Sequence, residues 1–107
     1  MPKGEFYELY QDYVCSVILR IAGEIFSILP TSAVVITAAD DLLNTSTGYI
    51  EEQAILSVAI PRKTFNQLNL QTIDPSSSLE NFVHNMDFKR TKGFNTVEVV
   101  DWQSLNL

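Results

Sequence analysis

A chain of 107 residues and 12.0 kDa fits one domain, spanning 1–107, with no room for a second core. Apolar residues make up 46% and charged residues 19%, enough hydrophobic surface to exclude intrinsic disorder. Thirteen acidic residues against seven basic give a net charge of −6, which argues against a dedicated nucleic-acid binder and against adsorption to anionic membranes.

Residues 5–29 read as one long helix. At 100° per residue, Tyr10, Val14, Val17, Ile18, Ile21, Ile25 and Ile28 share a broad face, and Glu5, Glu8, Asp12, Ser16, Arg20, Gly23 and Ser27 gather opposite. Pro30 ends the helix, because the residue before a proline is pushed out of the α region. Leu19, Ala22, Phe26 and Leu29 widen the apolar arc beyond the stripe of a simple surface helix. The helix is therefore expected to be wrapped on more than one side, by the rest of the domain, by another chain, or by both. Arg20 and Glu24 interrupt its apolar run, which is too short to span a bilayer. Glu5, Glu8 and Asp12 stand where a signal peptide carries positive charge. Cys15 is the single cysteine, so no intramolecular disulfide forms, and a reducing, cytoplasmic location is expected.

Two β-branched runs follow, 33–39 and 54–60, around the turn cluster Asn44-Thr45-Ser46-Thr47-Gly48. They predict one long hairpin with strands near 33–43 and 49–60. A symmetric register sets Leu43 opposite Tyr49, Ile36 opposite Leu56 and Val34 opposite Val58. The even-numbered face then carries Val34, Ile36, Ala38, Leu42, Ile50, Leu56, Val58 and Ile60, a core face. The odd face, with Val35, Thr37, Ala39, Gln53, Ile55, Ser57 and Ala59, is small and half-polar, and suits a second covering layer.

Pro61 opens a short helix reaching about Leu68. Asp74-Pro75 is a stronger helix start, with Asp as N-cap and Pro at N1. Leu79, Phe82, Val83 and Met86 follow at helical spacing, predicting a helix to about Arg90. Residues 94–100 alternate as a third strand, placed either antiparallel beside the first or parallel beside the second. The expected fold is α+β, in the order α-β-β-α-α-β. The long N-terminal helix packs on a three-stranded, mainly antiparallel sheet built on the hairpin.

The hairpin carries four acids. In the symmetric register Asp40 faces Glu52 and Asp41 faces Glu51, and like charges across a ladder destabilise unless a cation joins them. Carboxylate oxygens suit Mg²⁺ or Mn²⁺, although strand alternation lets one ion recruit only two of the four. An Asp on one strand and Glu51-Glu52-Gln53 on the next resembles the metal site of restriction-endonuclease-like nucleases. In that family Asp and Glu hold the metal and a Lys two residues on helps activate water. Here Gln53 stands in the lysine's place. The same acids also fit a solvated hairpin tip.

Five of the seven cations, Arg62, Lys63, Lys89, Arg90 and Lys92, follow residue 60, and together they would suit an anion or acidic partner if they met on one surface. Cys15 reads as packing, with no histidine or cation nearby to activate it. His84, the only histidine, reads as partly exposed. No P-loop, dinucleotide turn, Cys-x-x-Cys or Ser/His/Asp set is present. Without a catalytic set, the expectation is a small non-catalytic interaction or oligomerisation domain that pairs with itself or with another protein. Leu19, Ala22, Phe26, Val35 and Ile55 are its expected interface. The alternative is a divalent-metal phosphodiesterase built on Asp40, Asp41, Glu51 and Glu52, and outside it no cofactor is expected.

Overall fold

The computed structural model describes residues 3–44, 46–89 and 93–100. Its elements are α1 (Lys3–Ile28), β1 (Ala33–Leu43), β2 (Ile50–Pro61), α2 (Arg62–Phe65), α3 (Pro75–Ser78), a 3₁₀ turn (Leu79–Asn81), β3 (Val83–Lys89) and β4 (Gly93–Asn95). The four strands form one antiparallel sheet in sequence order, β1-β2-β3-β4. The α+β class, the long first helix and the hairpin are as expected. The sheet has a fourth strand, and the segment after α3 differs from the expectation.

That segment was expected to be helical to Arg90, and residues 83–89 are instead a strand. Leu79, Phe82, Val83 and Met86 match a helical template, yet the same stretch also alternates. Val83, Asn85, Asp87 and Lys89 are exposed, whereas His84, Met86 and Phe88 are half-buried. Tertiary demand chooses between the two periods, because β2 needs a second neighbour to satisfy its backbone. Leu56, Ser57, Val58 and Ala59 find it in Met86, Asn85, His84 and Val83. The helix start itself is where Asp74-Pro75 puts it, and the Asp74 carboxylate accepts from Ser77 Oγ at 3.0 Å.

The core joins Cys15, Ile18, Leu19, Ala22 and Phe26 of α1 to Leu56, Val58 and Ile60 of β2, with Phe65, Leu79 and Phe82 closing the far side. Leu19, Ala22 and Phe26 of the extra apolar arc are thus covered by the chain's own residues 65–82, whereas Leu29 stays 53% exposed. Phe65 packs on Phe26 with centroids 5.4 Å apart and rests against Gly23. Arg62 locks the other end of the helix. Its guanidinium donates to Phe26 O at 2.8 Å, Thr31 O at 2.7 Å and Leu29 O, satisfying carbonyls that the last turn leaves without partners.

The hairpin register departs from the symmetric one. Ile36 pairs with Val58 and Ala38 with Leu56, but Ala39 pairs with Ala54, so Ile55 is an extra residue bulged out of β2. Beyond the bulge the face of every β2 residue is reversed. Ile50, expected in the core, is exposed, and so is its neighbour Leu43. The second layer expected on the odd face exists over β2. Ser57 and Ala59 are fully buried, and Val100 N–H donates to the Ser57 hydroxyl at 2.9 Å. Val97 N–H also donates to Ala54 O at 2.9 Å. This layer is residues 96–100, most of the stretch expected to be a third strand.

Candidate functional site

The turn, which closes where Asn44 N–H donates to Tyr49 O at 2.8 Å, decides the fate of the four acids. Asp40 stands opposite Gln53, Asp41 opposite Glu52, and Leu42 opposite Glu51, so the expected Asp40–Glu52 and Asp41–Glu51 pairs do not form. Asp40 lies on the helix side, where Tyr10 donates its phenol to Oδ2 at 2.6 Å. Glu51 accepts from Asn44 Nδ2 at 3.1 Å within the turn. Asp41 and Glu52 face each other on the opposite, solvated side. Among the described residues no group of three or more acidic, histidine or cysteine side chains converges as a metal site demands. The two expected acid pairs are thus replaced by a single cross-strand pair, Asp41 opposite Glu52.

Among the described residues the basic side chains do not converge either. Arg62 and Lys63 sit at the C-terminal end of α1, with the Arg62 guanidinium directed at backbone carbonyls and stacked 4.7 Å from the Phe26 ring centroid. Lys89 pairs with Gly93, which lies against Tyr7 near the start of the same helix. Phe26 lies nineteen positions after Tyr7 in the helix, roughly 28 Å along the axis. Arg90 and Lys92 lie outside the described residues. Gly93 explains itself locally. Its φ is +79°, and a Cβ there would sit 2.7 Å from Tyr7 Cε1.

Four of the five expected interface residues are core. Leu19, Ala22, Phe26 and Ile55 are 5%, 0%, 7% and 1% exposed, and the first three pack with the sheet and with Phe65, Leu79 and Phe82. Val35 alone stays half-buried, on β1. Cys15 is buried, and desolvation, reinforced by Asp12 and Asp74, pushes its thiol up to about 12, a packing thiol rather than a nucleophile. His84 is half-buried on β3, its Nδ1 3.0 Å from Phe82 O.

The structure exposes a different surface, which composition did not reveal. β1 is the first strand of the sheet, so among the described residues nothing pairs with its outer edge. Residues 33–39 of that edge hold no charge and no proline, and the bulge that might have twisted it away lies on β2. On α1, Tyr10, Val17, Ile21 and Ile28 fall at 7-, 4- and 7-residue spacings on one stripe, and Tyr10 both bonds Asp40 of β1 and packs edge-on against Phe94 of β4 with centroids 5.5 Å apart. Val17 and Ile21 are half-buried, and Ile28 is 76% exposed. A sequence signal existed: residues 33–39 of this strand carry neither charge nor proline, and its only charged guards are Asp40 and Asp41 at the turn end.

Comparison with protein-family models, curated proteins and solved structures finds no match for this chain. Among the described residues no helix is long and apolar enough to cross a membrane.

Proposed function

We propose that this protein is a small non-catalytic association domain, acting as a homo-oligomer or with another protein in the cytoplasm, and that it binds through the outer edge of β1. The observation that carries this reading is the outer edge of the 11-residue strand β1, which pairs with nothing among the described residues. An edge strand offers a row of main-chain donors and acceptors, and an added strand satisfies them while the neighbouring side chains supply burial. The Arg62 guanidinium is engaged by backbone carbonyls, and Asp40 and Glu51 accept hydrogen bonds from Tyr10 and Asn44.

The reading is tested by the native mass of the tagged chain in a cell extract. Thr37→Lys/Ala39→Lys places two lysines at exposed positions of β1, and Asn66→Lys places one at an exposed position after α2. A larger species formed by wild type and Asn66→Lys but lost in the β1 variant is expected. Equal masses for all three proteins reject the edge as the binding site.

A further inference from the structure

We infer that the cleft between the first turns of α1, the turn-side half of β1 and β4 binds a quaternary ammonium group, with Asp40 supplying the charge and Phe6, Tyr10 and Phe94 the ring surface. This site goes beyond the association reading and does not use the outer edge of β1.

Local structure brings these groups together. Phe6 and Tyr10 are one helical turn apart on α1, so their side chains project from one face. Asp40 and Leu42 share a face of β1 by strand alternation. The Tyr10–Asp40 hydrogen bond and the Tyr10–Phe94 ring contact draw helix, strand and β4 around a cleft of about 310 Å³. Among the described residues it is lined by Phe6, Tyr7, Tyr10, Asp40, Leu42 and Phe94. Its size is at the small end of the range for ligand pockets. The rings are inclined to one another, Tyr10 to Phe94 by 61° and Phe6 to Tyr7 by 67°, so they wall a box rather than form a flat stack. The wall is also held from behind, because Phe88 meets Phe94 with centroids 5.2 Å apart.

The chemistry of this lining selects the ligand. Asp40 Oδ2 accepts from the Tyr10 hydroxyl at 2.6 Å, and Oδ1 accepts from Asp41 N–H at 2.8 Å. Both donors are neutral, so these bonds fix the carboxylate without cancelling its charge. Tyr10 registers that charge. Its phenol is pushed up to about 12 by the hydrogen bond to Asp40, by burial and by the carboxylate's field. A field that disfavours a phenolate at this place favours a cation there.

The remainder of the lining is mostly hydrocarbon, and the electron-rich faces of aromatic rings attract cations. A primary ammonium brings three N–H donors, and a divalent metal ion needs several oxygen ligands. Asp40 already spends both oxygens on other donors, so either ion would lose its water without full replacement. A quaternary ammonium carries no N–H and spreads its charge over methyl groups, so a ring-walled cleft with one fixed carboxylate suits it.

NMR titration of the purified 107-residue chain with choline tests the site. The control is its uncharged tert-butyl analogue, in which carbon replaces nitrogen, at matched ionic strength. Choline should shift the resonances of Phe6, Tyr10, Asp40 and Phe94 saturably at millimolar concentration, and the analogue should bind about tenfold more weakly. Asp40→Asn keeps the size of the side chain and an acceptor for Tyr10, and should weaken choline binding by about tenfold. Phe6→Leu alters a ring that is 55% exposed, outside the core, and should weaken it by about threefold or more. Urea midpoints establish that both variants are folded. A peptide bearing trimethyllysine, run beside its unmethylated form, separates the sources of the group. Tighter binding than choline assigns it to a protein side chain, and weaker binding assigns it to a free small molecule. No saturable shift with choline or with the trimethyllysine peptide overturns the proposal. Equal binding of the uncharged analogue, or undiminished binding by both variants, overturns it as well. The extract experiment on the β1 edge stands or falls independently of these results.

Discussion

β1 and β2 are the arms of one hairpin, 11 and 12 residues long and similarly apolar, yet they sit in different surroundings. Six consecutive residues of β2, 55–60, are buried, whereas β1 has none. β2 has a strand on each edge, α1 on one face and the 96–100 segment on the other. β1 shares a single edge. Burial is thus set by how many sides of a strand the chain covers, and composition alone does not reveal which arm is covered.

The sharpest way to break the contrast is a leucine on each arm. Leu56 is fully buried in β2, and Leu56→Ala should cost about 2–5 kcal/mol through lost transfer and a cavity. Leu43 of β1 is 60% exposed, and Leu43→Ala should stay within about 0.5 kcal/mol in the monomer. Urea midpoints at constant slope decide it. Equal losses would mean that β1 is as covered as β2.

A hydroxyl pair gives a smaller version of the same test. Thr37 Oγ1 and Ser57 Oγ are 2.9 Å apart across the two arms, and Ser57 also accepts from Val100 N–H. Ser57→Ala leaves that amide without its partner in a buried place and should cost about 1–3 kcal/mol. Thr37→Val removes only the exposed member, so a loss below about 1 kcal/mol is expected. Amide exchange at Val100 should accelerate in the first variant and hold in the second.

Much of this architecture is legible from local signals. Periodicity and Pro30 define α1, the turn cluster sets the hairpin, and Asp74-Pro75 marks the start of α3. What escapes is whatever depends on distant partners. Residues 83–89 satisfy two periods at once, and only the open side of β2 selects the strand. The bulge at Ile55 has no local marker, yet it reverses which faces of β2 meet α1 on its two sides. Leu19 and Phe26 look like surplus greasy surface until residues 65–82 fold over them. The candidate edge was less visible still, because a sequence shows which guards a strand lacks but not whether the strand lies at an edge.

The subtlest probe concerns the tether between α1 and the outer half of β1, where β2 contributes little burial. Tyr10 donates to Asp40, and that hydrogen bond, with desolvation and the carboxylate's charge, pushes its phenol from 10.0 up to about 12. A folded-state value above the free one means that the fold favours the neutral phenol. The contribution is complete below pH 10 and is lost as pH climbs toward 12, when phenolate and carboxylate repel each other. Cys15, raised from 9.0 to about 12 by burial, produces a loss in the same direction, but it is present in wild type and in Tyr10→Phe alike. Comparing urea midpoints of the two proteins at about pH 8 and about pH 11 therefore isolates the tyrosine. Wild type should start ahead of the variant and fall faster, by less than the Ser57→Ala loss because the tether is solvent-facing. Phenolate absorbance supplies an independent readout, since one of the four tyrosines should ionise late and vanish from the titration in Tyr10→Phe. Parallel curves for the two proteins would show that the outer half of β1 is held by its strand pairing alone.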